Sequence, residues 1–149
     1  MSIFDTFKTI VLPVLIMAGI FIQYRPATAA EVEKLVVAGG CFWCVEADFE
    51  KVPGVLGAVS GFTGGKTENP TYKEVVNGNT GHFEAVEITF DPSRVTRADL
   101  LTKFLRSVDP TDAGGQFCDR GNSYRTAIFV VDNSERALAD QVKSQAQSD

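Results

Sequence analysis

Leu35-Val36-Val37-Ala38-Gly39-Gly40-Cys41-Phe42-Trp43-Cys44 is the stretch from which the rest of the chain can be read. An apolar, partly β-branched run ends at two glycines, and the helix-like pattern Val45-Glu46-Ala47-Asp48-Phe49-Glu50 follows. The spacing predicts a strand over Glu31–Gly39 that hands over to a helix over Trp43–Lys51, with Cys41 at the junction. Amide groups at a helix start lack partners and carry partial positive charge. A thiol placed there loses its proton more readily, and the thiolate is the nucleophilic form. The opposing consideration is that a free cysteine is most often a small, inert hydrophobe. Gly39-Gly40 suits a tight turn with close backbone approach, and Cys44 follows one helical turn after Cys41. The two cysteines alone fit a redox pair or half of a metal site.

Working outward, Pro53-Gly54 stops the helix. Val55–Thr63 reads as a second strand, ending at Gly64-Gly65. Lys66–Gly81 is a long polar segment with a short helical turn over Tyr72–Val76. His82–Phe90 reads as a strand in which Phe83, Ala85, Val86, Ile88 and Phe90 oppose Glu84, Glu87 and Thr89, so alternation assigns Glu84 to the solvated face. Asp91-Pro92 turns the chain. Thr96–Val108 is an amphipathic helix with Thr96 as N-cap and Leu100, Leu101, Phe104 and Leu105 inward. Asp109–Ser123 is a second long loop, Tyr124–Val131 a strand, and Ser134–Gln145 a helix capped by Asn133 or Ser134. The order β-α-β-loop-β-α-β-α predicts an α+β fold, the ferredoxin-like split βαβ plait. Two long loops, 64–81 and 109–123, are left to carry function.

A chain of 149 residues has room for one domain with a real core. Its net charge of -5 and the lack of any Lys/Arg cluster argue against a nucleic-acid partner. Three cysteines, Cys41, Cys44 and Cys118, are too few for a disulfide framework and leave at least one thiol unpaired. Lys8, an apolar run from Ile10 to Ile22, and the small residues Ala27 and Ala29 fit a secretory signal cut near Ala29 or Ala30. An uncleaved N-terminal membrane anchor is the alternative for residues 1–30. Either way residues 31–149 form the functional domain, and the expectation is an exported, periplasmic or membrane-anchored protein, in a compartment where disulfides persist.

Polar residues stand out at the loops and strand ends: Tyr72, His82, Glu84, Asp119 and Tyr124. Each has a plain reading, as a half-buried anchor, a structural histidine, a solvated carboxylate or an Asx turn. Four blocks change the weighting. Gly40-Cys41-Phe42-Trp43-Cys44, Asn69-Pro70-Thr71-Tyr72, Gly81-His82-Phe83-Glu84-Ala85-Val86 and Gly121-Asn122-Ser123-Tyr124-Arg125-Thr126-Ala127-Ile128-Phe129 together resemble the A-type peptide methionine sulfoxide reductases, in order and spacing, from about Val36 onward.

The resemblance implies thiol-dependent reduction of methionine S-sulfoxide, free or in proteins, as repair of oxidative damage. Cys41 would attack the sulfoxide sulfur. Phe42 and Trp43 would hold the methyl group, and Glu84 would protonate the oxygen, assisted by Tyr72 and Tyr124. This overrides the alternation argument and turns Glu84 into the site, where burial would have to raise its pKa. Asp119 is implied as part of the polar wall, and His82 has no catalytic step. The sulfenic acid left on Cys41 would be resolved by Cys44 or Cys118. The resemblance implies no cofactor or metal, a thioredoxin or thioredoxin-like reductant as partner, and a monomer. Members of the family continue for some tens of residues beyond the point matching Asp149, so a domain lacking its C-terminal tail is expected.

Two rivals remain in view. A thioredoxin-like disulfide oxidoreductase would use Cys41 and Cys44, but that plan needs a cis-proline opening a later strand, and neither Pro70 nor Pro92 suits it. A zinc-binding module could draw on Cys41, Cys44, Cys118 and His82, although Phe42-Trp43 is bulky for the inside of a metal knuckle.

Overall fold

The computed structural model describes residues 31–148. The expected signal or anchor over residues 1–30 lies outside the described residues. Among the described residues no helix is long and apolar enough to cross a membrane.

The elements run β1 (Glu33–Ala38), α1 (Phe42–Phe49), β2 (Val55–Thr63), α2 (Tyr72–Val76), β3 (Phe83–Phe90), α3 (Arg97–Ser107), β4 (Gly115–Gln116), β5 (Asp119–Arg120), a 3-10 turn (Asn122–Tyr124), β6 (Ala127–Phe129) and α4 (Asn133–Ala146). The main sheet has the order β2-β3-β1-β6, and every neighbouring pair is antiparallel. Thus β1 and β2 run parallel with β3 between them, and β3 and β6 run parallel with β1 between them. That is the split βαβ arrangement expected from the element order.

One face of the sheet is packed. Leu35 and Val37 of β1 pair in register with Ile88 and Val86 of β3, and all four are buried. They join Phe42, Val45 and Phe49 of α1 and Leu100, Leu101, Phe104 and Leu105 of α3 in one core. Each such side chain contributes roughly 1.5–3 kcal/mol by leaving water. The other face carries Lys34 and Glu87, joined by an exposed ion pair that adds little. Helix α3 starts with a capping box, in which Asp99 N–H donates to Thr96 Oγ1 at 3.1 Å and Thr96 N–H donates to Asp99 Oδ2 at 3.2 Å. At its first turn Arg97 ties three elements together. Its Nη2 donates to Glu33 Oε2 at 2.9 Å, its Nη1 pairs with Glu135 Oε1 at 2.9 Å, and its guanidinium lies 5.6 Å from the Phe90 ring centroid.

Several expectations need correction. The last strand is only Ala127–Phe129, and Tyr124 stands in the 3-10 turn instead of opening that strand. The second long loop is not irregular throughout, because β4 and β5 pair as a short hairpin inside it. Helix α4 is capped by Asp132, whose Oδ1 accepts from Glu135 N–H at 2.9 Å, and not by Asn133 or Ser134.

Candidate active site

The Gly39-Gly40 pair exists because two groups press against it. A Cβ on Gly39 would meet Phe104 Cε2 and Val108 Cγ1 at 2.8 Å, so α3 packs directly on the turn. Gly40 has φ +83°, and a Cβ there would meet Gln116 Cβ at 2.6 Å. The turn that delivers Cys41 is therefore wedged between α3 and the β4–β5 hairpin.

Cys41 is the N-cap residue of α1. Its carbonyl accepts from Cys44 N–H at 3.1 Å and Val45 N–H at 3.3 Å, and its side chain makes no capping bond. The thiol is half-buried. The neighbouring Phe42 N–H, one of the unpaired amides of the helix start, donates to Glu84 Oε2 at 3.2 Å. Strand and helix thus bring the carboxyl to the residue next to the sulfur.

Glu84 is 2% exposed. The structure turns it inward, against the strict-alternation reading. Its other oxygen, Oε1, is buried without a well-formed hydrogen bond, and a buried acceptor left open in this way needs an explanation. Burial pushes the Glu84 carboxyl above its ordinary range, and the nearby charge of Asp119 adds to this. The Phe42 amide and the Tyr124 hydroxyl pull the other way without cancelling it. The Tyr124 phenol is pushed up to about 12 by burial and by the charge of Glu84, so it remains a donor at all ordinary pH.

Four aromatic rings form the wall beside these groups. Phe42 is buried, and its centroid lies 5.3 Å from Trp43, 5.6 Å from Phe62 and 6.3 Å from Tyr72. Trp43 stacks on Tyr72 at 6.2 Å with an 8° interplanar angle, yet it remains 64% exposed. Phe42 is thus the inner surface of the wall, while Trp43 and Tyr72 form an open outer flank.

The hairpin supplies the remaining site residues. Gln116, 1% exposed, accepts from Asp109 N–H at 2.7 Å and donates to Asp109 O at 2.7 Å and Gly115 O at 2.8 Å. Its amide locks the hairpin base while its Cβ fills the space beside Gly40. Asp119 lies across from it in register, close enough to bias Glu84, Tyr124 and Cys44. Cys118 is exposed in the two-residue turn, next to Phe117 at φ +48°. Hydrogen bonding toward the Cys41 thiol, burial and nearby negative charge push the Cys44 thiol above its ordinary range, so that it stays a thiol. Gln116 and Phe62 were not singled out from the sequence. The glycine before Cys41 hinted at a close neighbour without naming it, and nothing local placed Phe62 across from Glu84.

His82 is a clasp for the first loop. Its Nδ1 accepts from Gly65 N–H at 3.2 Å, and its Nε2 lies 2.9 Å from Thr67 O, which makes Nε2 the protonated nitrogen. Both ring nitrogens being engaged by backbone, His82 does not join the cysteines. Among the described residues no three His, Cys, Asp or Glu side chains converge to hold a metal ion.

Comparison with known proteins places this arrangement. The family model described as peptide methionine sulfoxide reductase matches residues 33–149. The chain is 52% identical over 122 residues to peptide methionine sulfoxide reductase MsrA 2 of Caulobacter vibrioides, covering 81% of this chain and 62% of that protein. It is 54% identical over 111 residues to peptide methionine sulfoxide reductase MsrA of Bacillus licheniformis, covering 74% of this chain and 61% of that protein. The chain thus spans about three fifths of the length of these curated relatives. Among solved structures it superimposes on methionine sulfoxide reductase A of Corynebacterium diphtheriae with a TM-score of 0.71 at 36% identity, covering 79% of this chain and 55% of that one. Reduced Mxr1 of Saccharomyces cerevisiae gives a TM-score of 0.74 at 27% identity, covering 85% and 72%. With its cysteine at a helix start, a buried carboxyl hydrogen-bonded to the next amide, and this match over almost every described residue, the chain belongs to the peptide methionine sulfoxide reductase family.

Proposed function

We propose that this chain reduces methionine S-sulfoxide to methionine, with Cys41 as the nucleophile and Glu84 as the proton donor. The observation that carries the reading is the Phe42 N–H to Glu84 Oε2 bond of 3.2 Å, which brings a buried carboxyl, its second oxygen unpartnered, to the residue beside the thiol. A carboxyl with raised proton affinity can give hydrogen to an oxygen at neutral pH, and such general acid catalysis contributes roughly 10²–10⁴-fold. Tyr124 and Tyr72 would donate hydrogen bonds to the same oxygen. Phe42 would face the methyl group, with Trp43 flanking it.

The Cys41 thiolate attacks the sulfoxide sulfur while Glu84 protonates the oxygen. The S–O bond breaks, the hydroxyl passes to Cys41 as a sulfenic acid, and the substrate leaves as a thioether with its lone pair restored. The Cys44 thiol then attacks the sulfenic sulfur, water departs, and a Cys41–Cys44 disulfide forms. Cys44 lies in the first turn of the helix that Cys41 caps, which favours it over Cys118 in the hairpin turn. An external dithiol of the thioredoxin type would return the pair to its reduced state. Preference for the S epimer, action as a monomer, and export directed by residues 1–30 are part of the same proposal. The last rests on the apolar run Ile10–Ile22 and the Ala27/Ala29 pair.

The test is a single-turnover reaction with resolved epimers of a chromophoric methionine sulfoxide, followed by peptide mapping. The expected result is one equivalent of sulfide from the S epimer and a Cys41–Cys44 disulfide. No sulfide from either epimer would overturn the activity. Faster reaction of the R epimer would overturn the stereochemical preference, and a Cys41–Cys118 disulfide would overturn the route of resolution.

A further inference from the structure

We infer that Phe62 is a positioning residue of this site, the apolar cover on the edge strand that keeps bulk water from the Glu84 carboxyl. Phe62 and Glu84 are direct partners in the β2–β3 ladder. Facing residues of an antiparallel pair project to the same side, with Cβ atoms about 4.5–5.5 Å apart. The Phe62 ring continues across to Phe42, centroid to centroid 5.6 Å and 30° between planes. Phe42 is the residue whose amide holds Glu84 Oε2. Acid, amide and ring thus close a triangle.

What makes Phe62 matter is the sheet order. Strand β2 is the edge of the sheet, so among the described residues no further strand lies beyond it. On that side Phe62 is the ladder residue between Glu84 and the sheet edge, and it is itself partly buried against the core. The groups facing Glu84 from the other elements are polar: the Phe42 amide from α1, Tyr124 from the 3-10 turn and Asp119 from the hairpin. Glu46, one turn further along α1, is occupied by the hydroxyl of Ser60, two residues before Phe62 on β2. Toward β1 the ladder ends with the buried pair Val37 and Val86. Burial is the largest influence on the Glu84 proton, ahead of Asp119, and Phe62 is the apolar side chain directly across the ladder from it.

The proposal deepens the reading of Glu84 as proton donor and rests on it for its catalytic consequence, while its structural content can be read without turnover. The experiment titrates Glu84 by carboxyl ¹³C NMR in the wild-type chain, Phe62→Ala and Phe62→Leu, with Glu84→Gln to assign the signal. Single-turnover rates are followed over the same pH range. Opening the cover lets water stabilise the carboxylate, so the Glu84 midpoint should fall by about one pH unit in Phe62→Ala. The alkaline limb of the rate should move down with it, and Phe62→Leu, which keeps apolar bulk without the flat ring, should fall between. A purely structural role would lower rates at every pH and leave the midpoint where it was. An unmoved midpoint in the folded variants overturns the inference. If Phe62→Ala does not fold, Phe62→Leu decides by the same criterion. A wild-type chain that fails to produce sulfide refutes the proposed function separately, because the titration still reports whether Phe62 shields the acid.

Discussion

The two ends of β3 handle charge in opposite ways. At its C-terminal end Phe90 lies under the guanidinium of Arg97, and that cation is satisfied by Glu33 on one side and Glu135 on the other. At its N-terminal end Glu84 is more deeply buried, has one amide for Oε2, and leaves Oε1 unpartnered. Both residues touch the same packed face of the same strand. A half-buried charge with all its partners joins elements, here β1, α3 and α4. A buried acid with a missing partner opposes folding and is retained where an external group can complete it. The difference separates a structural centre from a chemical one without appeal to any relative.

Substitutions at the two ends can break or sharpen that contrast. The largest effect is expected at Cys41. Cys41→Ser should lower the single-turnover rate at least about a thousandfold. Serine is a better N-cap than cysteine, so stability measured by urea denaturation should hold or rise by about 0.5 kcal/mol. Next is Glu84→Gln, expected to slow the first turnover by about 10²–10³-fold at neutral pH. The same variant should gain stability, and the sign follows from linkage. The native Glu84 holds its proton above the ordinary 4.5, so between that value and its raised native one the folded state binds more protons than the unfolded state. Wild-type stability therefore declines as pH rises through that window, and the Gln variant should lack this component of the decline. A wild-type curve that rises there, or parallels the variant, would erase the contrast between the two ends.

Cys44→Ser should leave the first turnover within about threefold while multiple turnover with a dithiol falls about tenfold or more, since the proposed resolving thiol is gone. The smallest effect on chemistry belongs to the other end of β3. Arg97→Met strands Glu33 and Glu135 and should cost about 2 kcal/mol in urea denaturation, with the first-turnover rate at 25 °C unchanged. A rate loss there comparable to that of Glu84→Gln would show that the two ends are not separable.

The fold was legible where local signals agreed. The bounds of β2 and α2 are those read from the sequence, and Thr96 caps α3 as expected. The hairpin was not legible, because strands of two residues carry no periodicity and the turn Phe117-Cys118 lacks the usual Asn-Gly chemistry. The expected caps Asn133 and Ser134 were of the right residue type but one or two positions late, because Asp132 just before them is an equally good cap by type. Glu84 is the instructive case. Ala85-Val86 interrupts the apolar alternation, and reading forward from Phe83 puts the acid outside. Counting back from Phe90 through Ile88 and Val86 puts it inside, and the burial of all four residues follows that parity. A central strand covered on both faces near its start hides this phase from inspection. The cross-strand partnership of Phe62 and the wedge of Gln116 against Gly40 depend on register and tertiary approach, which no local pattern encodes.

The hairpin joined to the Cys41 turn through Gln116 has a consequence for heating. Its ladder is two residues by two, and so weak a ladder belongs among the parts that open first. Fraying there would carry Asp119 away from Glu84 and unseat the packing behind the Cys41 turn while the four-stranded sheet is still intact. Thermal inactivation should accordingly run ahead of the loss of ellipticity, and the interval between the two curves would measure how independently this small flap comes loose.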